Sequence, residues 1–73
     1  MRVNPYKDMR ASELMAVIDD TIFQKETDKE IAINVFVRAM TVEKAASMVG
    51  YDCKTVQKRL PGIEERLNHN LKN

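Results

Sequence analysis

The apolar residues at the start of the chain recur with the period of an α-helix. Those that share one face of the predicted helix are Ala11, Leu14, Met15, Ile18 and Ile22. Proline suits the first position of a helix, because the N–H that it lacks has no partner there, and Pro5 stands just before this pattern. We therefore predict a first helix from about residue 5 to residue 25.

The next segment has an ambiguous pattern. Residues 31–37 are mostly β-branched or aromatic, which favours a strand. Two features favour a helix instead. Thr27 and Glu30 have the spacing of a capping box, in which the two side chains accept hydrogen bonds from the first N–H groups of a helix, and the sequence offers no second strand for pairing. We therefore predict a helix over residues 28–39.

Two short helices with a tight turn between them are predicted in the second half of the chain. The first spans residues 42–49, where Thr41 supplies an N-cap hydroxyl and Gly50 readily adopts the left-handed conformation that follows a helix. The second spans residues 53–60, with Asp52 as its N-cap.

Pro61 is expected to end this helix, because proline interrupts the hydrogen bonds of a helix interior. A last short helix is predicted after it, since Ile63, Leu67 and Leu71 are spaced by four. The pattern thus indicates a single all-α domain in three parts: an N-terminal helix that can serve oligomerisation at 5–26, a core at 28–60, and a short helix with a frayed tail at 61–73.

The composition is that of a small globular protein. The chain has 73 residues, of which 44% are hydrophobic, and this allows one domain and argues against intrinsic disorder. No uncharged stretch of the core region is longer than the seven residues at 31–37, far short of the about 20 apolar residues of a membrane span. The N-terminus lacks the apolar segment of a secretion signal, so we expect a cytoplasmic protein.

The chain has few residues that could form a disulfide, bind a metal or act in catalysis. Cys53 is the only cysteine and His69 the only histidine, which excludes a disulfide within the chain and a cysteine–histidine metal site. The acidic pairs at 19–20 and 64–65 are adjacent, so on helices their side chains point apart and cannot share a proton. We therefore expect no enzyme, no cofactor, no metal and no small-molecule substrate.

The net charge of +1 conceals an asymmetry between the two halves of the chain. Residues 1–37 carry five basic and seven acidic groups, whereas residues 38–73 carry seven basic and four acidic groups. The halves therefore differ by five charges, from −2 to +3. Such a difference indicates that the second half meets a polyanion, with chance scatter on a solvated surface as the alternative.

Residues 41–60 have the side chains that a steeply crossed pair of helices requires. Ala46, with Ala45 beside it, is small enough for the second helix to pack closely against the first. Gly50 permits the left-handed backbone of the turn, and Tyr51 can cover the turn while its hydroxyl stays in water. The residues expected to be buried at this junction are Val49, Val56 and Leu60.

The exposed face of the second predicted helix is polar and mostly basic. Lysine or arginine can pair with guanine or with phosphate, and glutamine can hold adenine through two hydrogen bonds. The expected base-reading residues are Lys54, Gln57 and Lys58. The expected phosphate contacts are Thr41, Lys44, Thr55 and Arg59, and Cys53 lies on the same helix surface. A plain helical hairpin with a solvated basic helix is the alternative.

Residues 41–60 resemble the tri-helical helix-turn-helix of small bacterial and bacteriophage regulators, and in style the region-four domain of sigma factors. The matching positions are Thr41, Glu43, Ala45, Ala46, Val49, Gly50, Thr55, Val56, Arg59 and Leu60. The resemblance implies that the helix at 28–39 braces the motif. Two positions depart from the family: Met40 stands where a glycine is common, and Pro61 with Gly62 interrupts a helix that continues in many relatives.

The expected function is sequence-specific binding of double-stranded DNA, as a small transcriptional regulator of bacterial or phage type that reads the major groove with residues 53–60. We therefore expect the cytoplasmic protein to be associated with the nucleoid. A protein-interaction adaptor of the same fold is one alternative, and a DNA-packaging or recombination accessory factor is another. We further expect a homodimer or a partner protein to use the N-terminal helix, because its apolar face exceeds what a three-helix core must cover. The alternative is that this helix folds back and completes the core of its own chain.

Overall fold

The computed structural model describes Tyr6 and residues 8–71, and over these residues the protein is all-α, as predicted. Four α-helices follow one another, and the second continues directly into a short π-helix. The elements are α1 (Ala11–Asp20), α2 (Glu26–Ala32), the π-helix (Ile33–Val37), α3 (Val42–Val49) and α4 (Cys53–Leu71). Residues 31–37 are therefore helical, which resolves the ambiguity of their β-branched pattern in favour of a helix.

Helix α1 is shorter than predicted at both ends. It begins after Arg10 and leaves helical geometry at Thr21, whose backbone is extended. The side chain of Asn70 in α4 fixes this exit, because its amide donates to the Val17 carbonyl at 3.3 Å and to the Thr21 hydroxyl at 3.0 Å. The predicted end at residue 25 is therefore wrong, and the predicted start at Pro5 lies outside the described residues.

Helix α2 begins two residues earlier than predicted, and the capping box is wrong. No side chain caps the start of this helix, and the Thr27 hydroxyl instead hydrogen-bonds the Tyr51 hydroxyl at 2.9 Å. After the π-helix the chain turns at Ala39, which has a φ of 55°, a value that costs an L-residue about 1–2 kcal/mol. The N–H of Met40 donates to the Asn34 carbonyl across this turn at 2.9 Å.

Helix α3 and the turn after it follow the prediction closely. The Thr41 hydroxyl accepts the Lys44 N–H at 3.1 Å, which is the expected N-cap. Gly50 has a φ of 76°, in the left-handed region. The N–H groups of Tyr51 and Gly50 donate back to the carbonyls of Ala46 and Ser47, which is the bond pair of a Schellman motif.

Helix α4 runs 19 residues and passes through Pro61, so the predicted end at residue 60 and the separate segment at 61–73 are wrong. The apolar face continues on both sides of the proline. The residues of α4 that are buried in the core are Val56, Leu60, Ile63 and Leu67. Burial of such side chains stabilises by about 1.5–3 kcal/mol each, so the two beyond the proline offset the about 3 kcal/mol that proline costs inside a helix.

The core lies between α4 and the other helices. From α1 it takes Leu14 and Ile18, so the apolar face that we assigned to a partner is used largely within the chain. Tyr6 also belongs to the core and packs edge-on against Phe36, with the ring centroids 5.0 Å apart. Over the described residues, no helix has both the length and the apolar character needed to span a bilayer.

The same substitution at the two glycines is expected to have opposite effects. A Cβ placed on Gly50 or Gly62 meets no atom within 4 Å, so only backbone conformation distinguishes them. Gly62→Ala should stabilise the protein by about 0.5–1 kcal/mol, because Gly62 lies inside α4. Gly50→Ala should destabilise it by about 1 kcal/mol, because φ is positive there. Urea denaturation of both variants tests this, and effects of equal sign would contradict it.

Candidate nucleic-acid interface

The first half of α4 presents a polar and basic face on the side opposite the core. The exposed residues of this face are Lys54, Thr55, Gln57 and Lys58. Lys54 and Lys58 are one helical turn apart, which places both ammonium groups on one side, with Gln57 beside them. No acidic residue occurs from Cys53 to Ile63, so the positive charge of this surface is not neutralised within its own helix.

Cys53 is half-buried at the start of α4 and is less available than the four residues of the exposed face. Its thiol is free. The preceding residue, Asp52, is exposed, and its carbonyl accepts the Val56 N–H at 3.1 Å as the helix begins. The structure therefore places Cys53 at the edge of the predicted surface rather than at its centre.

A second group of predicted contacts surrounds the start of α3. Thr41 and Lys44 are both exposed, and the Thr41 hydroxyl is occupied as the N-cap of the helix. Arg38 is also exposed just before this helix, and the sequence analysis missed it. The signal that could have identified it is its position directly before the turn that leads to the Thr41 cap. Glu43 is exposed in the same helical turn and reduces the local positive charge.

Arg59 differs from the other predicted contacts because its guanidinium is already bound within the chain. Its Nε donates to Oδ1 of Asp28 at 2.5 Å, and its Nη2 donates to Oδ2 at 2.7 Å. The Asp28 side chain is only 7% exposed and that of Arg59 is 24% exposed. The hydrogen bond that Arg59 donates to Asp28 raises the pKa of Arg59 above its ordinary value, against the opposing effect of desolvation.

Asp28 and Thr27 are neighbours in the first turn of α2, and both contact the region around the start of α4. Thr27 holds the Tyr51 hydroxyl directly after the turn at Gly50, and Asp28 holds Arg59 in the second turn of α4. We call these two contacts the α2 latch. The sequence analysis missed Asp28, because nothing local signals a partner 31 residues away.

The second half of α4 has a different surface. Glu65, Arg66 and His69 are exposed there, and Glu64 is half-buried, so acidic and basic groups alternate. A groove of about 860 Å³ lies between α4, from Lys58 to Asn70, and the connection between α1 and α2. Arg66 reaches across this groove, and its Nη1 donates to the Ile22 carbonyl at 2.9 Å. The uniformly basic surface of α4 therefore ends near Pro61.

Comparisons of this chain with protein-family models, with curated proteins and with solved structures find no match. Its function is accordingly inferred from its own side chains and from the way the helices hold them.

Proposed function

We propose that this protein binds double-stranded DNA sequence-specifically, as a small transcriptional regulator, and that the first half of α4 enters the major groove. The observation that carries the proposal is the exposed face of Lys54, Thr55, Gln57 and Lys58, which has no acidic group and lies opposite a buried apolar face. A helix about 10–12 Å wide fits a major groove about 12 Å wide. The positive end of the helix dipole lies at the start of α4, in the same turn as Lys54.

The side chains of this face match the groups that a major groove presents. Lys54 and Lys58 can donate to guanine O6 and N7, and Gln57 can both donate to and accept from adenine. Because the second half of α4 carries Glu64 and Glu65, repulsion from phosphate favours contact through the first two helical turns only.

The phosphate contacts in this proposal differ from the predicted set at two positions. Thr41, Lys44 and Thr55 are exposed and keep their predicted role as contacts that position the protein on the duplex. Arg38 joins them because it is exposed beside Thr41. Arg59 is no longer among the proposed phosphate contacts, because its guanidinium is already bound to the Asp28 carboxylate.

A protein-binding adaptor is the second candidate, and two exposed apolar side chains favour it. Ile22 is 83% exposed and Met48 is 57% exposed. Such residues are ordinary when isolated on a surface, and they are not part of the basic face. The adaptor predicts no affinity for any duplex, whereas the DNA-binding proposal predicts measurable affinity for random DNA at low salt.

Fluorescence anisotropy with labelled random duplexes tests the proposal. We expect the wild-type protein to bind, and Lys58→Gln to bind more weakly with a salt dependence shallower by about 0.9 in logarithmic slope, because on random DNA, where no preferred guanine is in place, the Lys58 ammonium acts as one of the charges that neutralise phosphate. Lys29→Gln is the matched control: it removes the same charge from a residue paired with Asp19 at 3.0 Å.

Gln57→Ala should leave the salt slope unchanged and weaken discrimination at one base pair by about 1–3 kcal/mol. No binding by the wild type, or equal effects of Lys58→Gln and Lys29→Gln, would contradict the proposal.

A further inference from the structure

We infer that the α2 latch sets the DNA specificity of the protein, with Asp28 as a positioning residue that also withholds Arg59 from phosphate. This inference rests on the proposed function. It concerns residues that make no contact with DNA in that proposal and act only through α4.

The first step is geometric. Arg59 and Gln57 stand two residues apart on α4, and Arg59 is joined to Asp28 by two parallel hydrogen bonds of 2.5 and 2.7 Å. Two such bonds restrict both the distance and the rotation of the guanidinium. The latch therefore restricts rotation of α4 about its own axis, and that rotation decides where Lys54, Gln57 and Lys58 point.

The second step concerns the start of the same helix. Tyr51 follows the Gly50 turn directly, and its hydroxyl is held by Thr27 at 2.9 Å. Two adjacent residues of α2 thus hold α4 at its entry and in its second turn. Along the chain, the basic face from Lys54 to Lys58 lies between these two contacts, at Tyr51 and at Arg59.

The third step concerns charge. Within the latch the Arg59 charge is neutralised by a carboxylate that is 7% exposed. Without that carboxylate, the partly exposed guanidinium becomes an extra cation beside the basic face, free to contact phosphate. Phosphate contacts add affinity without sequence information. Opening the latch should therefore strengthen binding to random DNA while weakening selection of the preferred site.

Asp28→Asn tests this directly, because it keeps the shape of the side chain and removes its charge. The reference ligands are a random duplex and the duplex that the wild-type protein selects from a random pool. We expect the ratio of the two affinities to fall by about tenfold, the order of one misplaced base contact. We also expect the affinity of Asp28→Asn for random DNA to be more sensitive to salt, because one phosphate contact is gained. When the salt concentration rises fourfold, the variant should lose affinity by a factor about three times larger than the factor by which the wild type loses it.

Asp19→Asn is the matched control. It removes one negative charge from an ion pair with Lys29 that does not involve α4, so it reports the effect of net charge alone. The double variant Asp28→Asn, Arg59→Gln opens the latch without releasing a cation. It should lose specificity as Asp28→Asn does, while its salt dependence stays at that of the wild type.

Tyr51→Phe is a milder variant for the case in which Asp28→Asn does not fold. It removes only the hydroxyl that meets Thr27, and it should lower the affinity ratio by about two- to fivefold with no change in salt slope, the order of one hydrogen bond. The inference is overturned if Asp28→Asn and Asp19→Asn give the same ratio and slope, or if Tyr51→Phe leaves the ratio unchanged, while wild-type binding persists. If the wild-type protein binds neither duplex, the proposed function itself is wrong and the inference falls with it.

Discussion

Ile18→Ala should destabilise the protein by about 2–5 kcal/mol, the usual effect of truncating a large buried side chain. Ile18 is fully buried in α1 and packs in the hydrophobic core that the described residues form. A domain of this size has about 4–11 kcal/mol of total stability, so the variant should be close to unfolding at room temperature. Chemical denaturation followed by circular dichroism at 222 nm measures the change.

Ile22→Ala is the control for this prediction, since it is the same substitution four residues later. Ile22 is 83% exposed, so its truncation should change the stability by less than about 0.5 kcal/mol. Equal effects at the two positions would show that α1 does not pack as described. A large effect at Ile18 supports the role of α1 as part of the core, in place of the partner-binding role that its apolar face suggested.

Pro61→Ala should stabilise the protein by about 1–3 kcal/mol. Proline in a helix interior removes one backbone hydrogen bond and crowds the preceding turn, at a cost of about 3 kcal/mol relative to alanine. Pro61 is the ninth residue of α4 and is exposed, so its replacement leaves no cavity. The carbonyl of Gln57 would regain its partner four residues on. Thermal and urea denaturation give the change, and a neutral or negative effect would contradict a continuous α4.

The DNA affinity of Pro61→Ala distinguishes two explanations for a proline at this position: that it serves DNA recognition, or that it is merely tolerated. Pro61 lies where the uniformly basic surface of α4 ends and acidic side chains begin. If Pro61→Ala raises stability and lowers discrimination between duplexes, the local geometry around Gln57 serves recognition at the expense of stability. If it raises stability alone, the proline is a tolerated residue.

The parts of the fold that the sequence predicted correctly depend on neighbouring residues. Thr41 caps α3 through the N–H of Lys44, three residues away, and Gly50 ends it with a φ of 76°. Both arrangements follow from the chemistry of a hydroxyl and of a residue without a Cβ. For the same reason the extent of α3 was predicted to the residue.

The parts that were predicted wrongly depend on distant residues. Pro61 is a local stop signal, but burial of Ile63 and Leu67 against the rest of the core overrides it. Helix α1 ends at residue 20 because Asn70, 49 residues after Thr21, holds the chain in an extended conformation there. A pattern read along one segment contains no information about such partners.

The candidate site divides in the same way. The basic face of Lys54, Gln57 and Lys58 could be predicted because its spacing follows from helical geometry alone. The assignment of Arg59 to phosphate could not be corrected from the sequence, since an exposed arginine and an arginine paired with a distant carboxylate look alike there. Its partner Asp28 was counted only as one acidic residue among seven in the first half.

The position of Tyr6 bears on the order in which the protein assembles during synthesis. Its hydroxyl donates to the Asn68 side chain, 62 residues later, at 2.9 Å. At about 5–20 residues per second, the ribosome adds Asn68 roughly 3–12 s after Tyr6. The hydroxyl of Tyr6, whose ring is buried in the finished core, therefore lacks its Asn68 partner until nearly all of α4 has been synthesised. This contact between residues 62 positions apart is therefore formed late, after the residues of α1, α2 and α3 are already available to fold.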